Sequence, residues 1–351
     1  MASCYAFADY VYGLAGDTLE EPKEEPTEPG EPADNPYYTV FSTMDSVLAP
    51  GITQTIKYAQ TSDNKQIVYY IANVDVTRDD VTIMAGYKDA DPSKGWGMQR
   101  VVDQANAMNA KHSDPNDPEN YIENFQAIVA TNGAGFNMST GEPGGLLVMN
   151  GYEWHPVDGG GFFAILKDGS AMIGTTADYA VYKDQIQEAI AGFGAMLVKD
   201  GVIVTKDNSG RASRTAIGIK ADGSVVMMVL DGRQEPFSAG GSMVEIAQIM
   251  LDAGCQIAIN LDGGGSTTFA AKPEGADNVQ VVNRPSDGYQ RSVSTSLIAV
   301  STAKSSKEFD HAIITSDYDY LTIGTSQQMT AGGVSNTGNA APLPEIGRAH
   351  V

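Results

Sequence analysis

Cysteine is almost absent: Cys4 and Cys255 are the only two in 351 residues. That leaves no material for a disulfide framework or a cysteine-based zinc site. Histidine is nearly as scarce, and His112, His155 and His311 all stand away from the glycine-rich motifs below. A two-metal phosphodiesterase centre needs clustered histidines and aspartates, so that chemistry finds little support; no metal site is assigned, and the sequence leaves metal dependence open. Basic residues number 22 against 44 acidic ones, a formal net charge of −22 with a pI near 4.4. A non-specific nucleic-acid binder needs a basic face, so no nucleic-acid partner is expected. No apolar run approaches the roughly 20 residues of a bilayer-spanning helix, so no transmembrane segment is expected either.

What is present is a folding composition, 42% apolar and 19% charged, with 38 glycines in clusters. The charge is uneven. Residues 1–36 carry nine acids and one lysine, residues 37–302 a net −12, and residues 303–351 a net −2. In the run DTLEEPKEEPTEPGEPADNP, prolines block helix and central strand while glutamates repel one another, which predicts an extended acidic linker. Before it, Ala6-Phe7-Ala8 resembles the small-x-small end of a signal peptide, here truncated, and an extracellular or cell-surface location follows as an expectation. The last six residues, 346–351, match the translation of a sequencing adapter and are set aside. The expected organisation is a signal remnant and linker (1–36), one domain (37–302), the start of a truncated β segment (303–345) and the foreign tail (346–351).

Within the domain, QIVYYIANVDV and VTIMAGY alternate apolar and polar residues and read as strands. Residues 97–111 place Met98, Val101, Val102, Ala105 and Met108 at helical spacing. Three Asp-Gly pairs, in FFAILKDGSAMIG, AMLVKDGVIV and AIGIKADGSVVMMVLDG, predict three antiparallel hairpins. Residues 178–193 and 241–254 read as helices, the second opened by the capping box Ser242-x-x-Glu245. Cys255 then enters an apolar run as a small buried hydrophobe. The loop DPNDPEN at 114–120 lacks the glycine and ligand spacing of a calcium loop and reads as solvated. The predicted class is α+β, with mixed, largely antiparallel sheet and a few packed helices.

Three features carry possible chemistry. Five of the eight arginines (Arg211, Arg214, Arg233, Arg284 and Arg291) fall between 211 and 291; guanidinium forks suit phosphate or carboxylate, yet the same residues could pair with surface acids. The run Asn260-Leu261-Asp262-Gly263-Gly264-Gly265-Ser266-Thr267 ends a strand-like segment. Its glycines permit an anion-binding nest of backbone N–H groups beside Asp262, or simply a turn, as Asp158-Gly159-Gly160-Gly161 shows. No Gly-Lys-Ser/Thr follows and no helix clearly opens there, so neither a Walker loop nor a dinucleotide fingerprint fits and no cofactor is expected. Third, Asn132-Gly133 ends an apolar strand, where Asn serves as ligand group or plain turn former.

Taken in order, TNGAGF with GEPGGLLVMNG, SRTAIGIKADG, VLDGR, GGSMVEIAQIMLDAG, INLDGGGSTTF and VNRPSDGYQRSVSTSLIAV resemble the phosphodiester glycosidase family across about 70–300. TNGAGFN departs from that family's more usual Asn-x-Gly-Phe-Phe. The resemblance implies hydrolysis of a sugar-1-phosphodiester, N-acetylglucosamine-1-phosphodiester-like, at the anomeric carbon, with a carbohydrate or phosphoglycan as partner. It implies roles as well: Asp262 as nucleophile or base, with Asp231 the second carboxylate. Arg214 and Arg291 would hold the phosphate, helped by the backbone of Gly264, Gly265, Ser266 and Thr267 and the hydroxyls of Ser266 and Thr215. Asn132 with Gly133, and Asn283, would meet sugar hydroxyls or an acetamido group. A non-catalytic glycan- or phosphoglycan-binding module on an exported surface protein is the alternative. The sequence leaves the oligomeric state open.

Overall fold

In the computed structural model, residues 35–194, 196–316 and 323–344 are described; Cys4, almost all of the acidic linker and the 346–351 tail lie outside them. The alternating stretch after residue 37 folds as a long hairpin, Tyr38–Ala49 with Ile52–Thr61, continued by Gln66–Val74. These strands lead into an eight-stranded sheet that goes on through Val225–Leu230, Arg214–Lys220, Cys255–Asn260, Met196–Lys199 and Val202–Ile203. One five-stranded sheet runs Ala171–Gly174, Phe162–Leu166, Ile186–Ala191, Leu147–Met149 and Tyr152–His155. The other runs Gln280–Val281, Phe269–Ala271, Gln126–Asn132, Thr295–Ser301 and Val81–Tyr87. Every strand pairing in these three sheets is antiparallel. With three α-helices among the described residues, α1 (Val101–Ser113), α2 (Thr176–Tyr182) and α3 (Met243–Asp252), the class is α+β.

The eight-stranded sheet is covered on both faces, which explains why Val225–Leu230 is apolar at every position. Val226, Met228 and Leu230 point to one side, where Ile246, Ile249 and Met250 of α3 cover them. Val225, Met227 and Val229 point to the other, into a cluster with Ile83, Phe163, Ile190, Phe269 and Leu297 of the five-stranded sheets. Each such fully buried side chain contributes about 1.5–3 kcal/mol. Helix α1 closes the outer face of the sheet containing Gln126–Asn132, packing Val101, Ala105 and Met108 on Ala127, Ala130 and Ile298.

All three Asp-Gly hairpins form. They use the dipeptide in two ways. At Asp200-Gly201 both residues have positive φ, 53° and 70°, as a two-residue primed turn demands. At Asp168 and Asp222 the aspartate instead accepts the N–H of Ser170 or Ser224, and only the following glycine is left-handed. The helix expected over 178–193 is half right. A Thr175–Asp178 capping box starts α2, but the chain leaves it after Tyr182, and Ile186–Ala191 becomes the middle strand of its sheet. Ala189, Ile190 and Ala191 are buried in succession there, and so short an apolar run has no period to separate strand from buried helix. Cys255 is fully buried, its thiol pushed up to about 12 by burial.

After residue 302 the β segment forms a three-stranded sheet, His311–Ser316, Met329–Val334 and Ala340–Ala341. It rests on the domain: buried Lys272 donates its Nζ to the Gly338 carbonyl at 2.8 Å, and Gln126 donates to Asn339. Among the described residues no helix is long and apolar enough to cross a membrane.

Candidate active site

Three neighbouring chain segments build the site. The strand Cys255–Asn260 pairs with Arg214–Lys220, and its end delivers Asp262 to a point where the Leu261 N–H donates to Thr215 O and the Asp262 N–H to Gly133 O. Asn132 locks the crossing. Its Nδ2 donates to Asp262 O at 2.7 Å, and its Oδ1 accepts from the Thr215 hydroxyl at 2.7 Å and the Thr268 N–H at 3.1 Å. Asn132 and Thr215 are wholly buried. Gly133 is buried as well, and a Cβ there would sit 2.6 Å from the Thr295 hydroxyl. These three were expected to touch substrate; they lie beneath the site and hold its loop.

Above them opens a cleft of about 430 Å³, lined by Asp262, Gly263, Gly264, Gly265, Arg214, Arg233 and Arg291, with Phe193 and Met243 on its apolar side. The glycines are needed for closeness: Gly264 has φ +62°, and a Cβ on Gly265 would overlap the Arg291 guanidinium and the Asp287 carboxylate. Much of the expected N–H nest is used within the fold. The Gly263 amide donates to Asp262 Oδ1, Gly264 to Ser213 O, Ser266 to Gly263 O and Thr267 to Gly264 O. Those donors are consumed in folding the loop, which leaves the guanidinium groups as the main cationic donors of the cleft.

The arginines sort into two groups. Arg211 follows the surface-pair reading, bridging Glu245 and Asp63. Burial opposes ionisation of Glu245, but Arg211 and the Ser242 N–H hold its carboxyl below the usual range while it completes the α3 capping box. Arg211→Ala is therefore expected to cost about 2 kcal/mol of stability, read by denaturant unfolding, with KM unchanged. Arg284 lies over the Phe237 ring, 4.5 Å from its centroid. The cleft arginines differ. Arg214 is half-buried and, among the described residues, donates only to carbonyls, Gly241 O at 3.0 Å and Gly210 O at 3.3 Å. Burial and the like charge of Arg233 both push its guanidinium below the usual range, against a pull from Asp207. Arg233 is exposed, and no ion pair holds it among the described residues. It sits at φ 60°, a conformation disfavoured for an L residue, with its guanidinium beside Gly264. Arg291 is braced by Asp287 at 2.7 Å and reaches Ser266 Oγ at 3.4 Å.

Burial raises the Asp262 carboxyl above its ordinary value, while the Ser266 hydroxyl, the Gly263 N–H and the Arg291 charge favour the ionised form. Asp231 was expected beside it but does not line the cleft. It is wholly buried, accepting from Asn283 Nδ2 at 2.8 Å, the Arg284 N–H at 2.9 Å and the Tyr70 hydroxyl at 3.2 Å. Burial pushes it up to about 6. Asn283, also buried, joins Asp231 to the glycine loop by donating to Thr267 O and accepting from the Phe269 N–H. Ser266 and Thr267 are buried too, Ser266 within reach of Asp262 and Thr267 with no hydrogen-bond partner for its hydroxyl. Arg233, Phe193 and Met243 were not assigned to the site from the sequence. Arg233 carried a signal in LDGR beside Asp231; Phe193 and Met243 carried none.

Residues 125–300, half of the chain, match the family model described as phosphodiester glycosidase. The chain is 28% identical over 184 residues to the N-acetylglucosamine-1-phosphodiester alpha-N-acetylglucosaminidase of Bos taurus, covering 46% of this chain and 33% of that one. It is 28% identical over 186 residues to the Homo sapiens protein of the same name, covering 46% and 34%. It is 29% identical over 187 residues to the SPbeta prophage-derived uncharacterized protein YomE of Bacillus subtilis, covering 49% and 28%. The matched stretch thus spans about a third of the length of these relatives. Among solved structures, the zebrafish N-acetylglucosamine-1-phosphodiester alpha-N-acetylglucosaminidase catalytic domain, auto-inhibited by its pro-peptide, superposes with a TM-score of 0.55 at 19% identity, covering 75% of this chain and 87% of that one. A hypothetical protein from Synechocystis gives 0.55 at 15% identity, covering 72% and 62%. Both share the fold, and with the glycine loop, the cleft arginines and the family match falling in one stretch, the chain belongs to the phosphodiester glycosidase family.

Proposed function

We propose that this protein is a hydrolase that cleaves a sugar-1-phosphodiester at the anomeric carbon, releasing free sugar and a phosphomonoester, with an N-acetylglucosamine-1-phosphodiester-like compound as substrate. The observation that carries this reading is the convergence of Arg214 and Arg233, like charges without a shared carboxylate, on the cleft that holds Asp262. Two guanidinium groups brought together in a partly buried site call for an anion between them. In this scheme the phosphodiester lies against Arg214, Arg233 and Arg291, and the sugar ring lies toward Phe193 and Met243. The bond between the anomeric carbon and the phosphate oxygen breaks with its electron pair going to phosphate. Ionised Asp262 attacks or stabilises the oxocarbenium-like carbon, or takes a proton from the attacking water. A glycosidase of an ordinary alcohol needs a second carboxyl to protonate its leaving group. Phosphate departs as a stable anion, and guanidinium charge meets it. That suits a cleft in which Asp262 is the only acid among the described lining residues. Asp231, Asn283, Asn132, Thr215 and Gly133 then act as positioning residues. Action outside the cell belongs to the same reading.

Hydrolysis of a sugar-1-phosphodiester in oxygen-18 water tests the scheme. Label in the sugar is expected. Label in the phosphate would mean cleavage of the P–O bond, and no product with tight binding would mean a glycan-binding module. Because only ionised Asp262 is competent, kcat/KM is expected to fall as the pH drops, with a midpoint above the ordinary carboxylate value of about 4. A pH–rate profile flat across that range would remove Asp262 from this role.

A further inference from the structure

A second cavity, of about 460 Å³, shares no lining residue with the Asp262 cleft. It opens where the edge strand Val81–Tyr87 of one five-stranded sheet meets the edge hairpin Leu147–His155 of the other, with the C-terminal end of α1 and the following loop as its remaining wall. Its volume falls in the range of small-molecule sites. The floor is apolar, made by Met84, Met108 and Met149. Its walls carry three aromatic rings, Tyr121, Tyr152 and Trp154. Tyr121 is 42% exposed and Tyr152 61%, while Trp154 is partly buried with one side against the core. Tyr152 and Trp154 have centroids 4.7 Å apart at 60°, which forms an angled wall rather than a packed stack.

The polar lining is equally specific. Glu119 supplies a carboxylate acceptor, as does Asp91, which also accepts from Ser93 and pairs with Lys94 at 3.4 Å; Gln187 supplies an amide, and Lys111 a cation that also donates to Ala90 O at 3.1 Å. Acids outnumber the lysine, so a phosphate- or uronate-bearing ligand is disfavoured. The site is also braced. The buried Glu188 carboxylate accepts the Ala85 N–H at 3.0 Å and the Asn150 N–H at 2.8 Å, tying the two sheet edges together across the cavity floor. Aromatic faces take the apolar C–H face of a pyranose, and carboxylate, amide and ammonium groups take its hydroxyl rim.

We propose that this cavity is a second carbohydrate-binding site, holding one or two uncharged sugar residues of a glycan chain, through the Tyr152–Trp154 wall and the Asp91 and Glu119 carboxylates. Glycan binding here does not depend on the chemistry assigned to Asp262, so the two readings can fail separately. The test is calorimetric titration of the full chain with cellotriose, maltotriose and tri-N-acetylchitotriose. Saturable binding of at least one of them in the millimolar range or tighter is expected. Trp154→Ala should weaken it at least tenfold, and Tyr152→Ala, at a more exposed position, should weaken it severalfold should the tryptophan variant not fold. Asp262→Asn and Arg233→Gly should bind as the parent does. Failure of all three trisaccharides to bind would overturn the proposal. So would binding that survives both aromatic substitutions, or binding that Arg233→Gly abolishes, since that would place the sugar in the cleft.

Discussion

Asp262→Asn is expected to lower kcat/KM by roughly 10³-fold or more, the scale on which an acid–base or nucleophilic carboxylate contributes. The fold should be untouched. An asparagine retains an oxygen to accept the Gly263 N–H at 2.9 Å, and the hub bonds from Asn132 and Gly133 engage only the Asp262 backbone. Stability should follow a defined sign. Burial raises the Asp262 pKa above its unfolded value, so as the pH climbs from the unfolded value through the raised one, the folded state holds on to a proton that the unfolded state releases. The parent therefore loses stability across that window, and the Asp262→Asn variant, whose amide does not titrate there, keeps it. Thermal unfolding of both proteins at acidic and neutral pH, beside their rates, checks the prediction. A variant that turns over at the parental rate removes Asp262 from the chemistry, and one that fails to fold at either pH would mean the loop needs the charge.

The second large effect separates function from stability at one residue. Arg233→Gly should reduce kcat/KM about 10²–10³-fold, because it removes one of the donors that meet the departing phosphate. The same change should raise stability by about 0.5–1 kcal/mol. Arg233 is held at φ 60°, where glycine carries no steric cost, and it stands near the like charge of Arg214. Unfolding in denaturant and steady-state kinetics on one preparation would show both changes. If the variant is less stable and equally active, the guanidinium is a structural group. Arg211, a few residues from Arg214 in sequence, should behave in the opposite way, as its Glu245 and Asp63 bonds require.

These contrasts mark where the sequence could be read and where it could not. The three Asp-Gly hairpins and the Ser242–Glu245 cap were legible because a turn and a cap are made by residues two to four positions apart. The strand Ile186–Ala191 was not, since its neighbours Phe162–Leu166 and Leu147–Met149 come from elsewhere and decide between strand and helix. The glycine loop lies at the cleft, but most of its N–H groups are engaged within the fold. Its N–H groups looked free for an anion, but Ser213, some fifty residues upstream, takes the Gly264 donor and the loop's own atoms take others.

By itself, the sequence determined the α+β class, the antiparallel hairpins, the family motifs and the stretch in which Asp262 and the arginines would be found, because local turn chemistry and residue order are written along the chain. Only the tertiary structure decided which of these groups face a ligand. Asp231 and Asp262 both precede glycine at the end of a strand, yet one is enclosed by Tyr70, Asn283 and Arg284 and the other lines the cleft. Arg211 and Arg214 are three residues apart, yet one is neutralised by Glu245 and the other faces Arg233. Desolvation and charge pairing depend on distance in space, and the partners that set them here lie tens to hundreds of residues away in the chain.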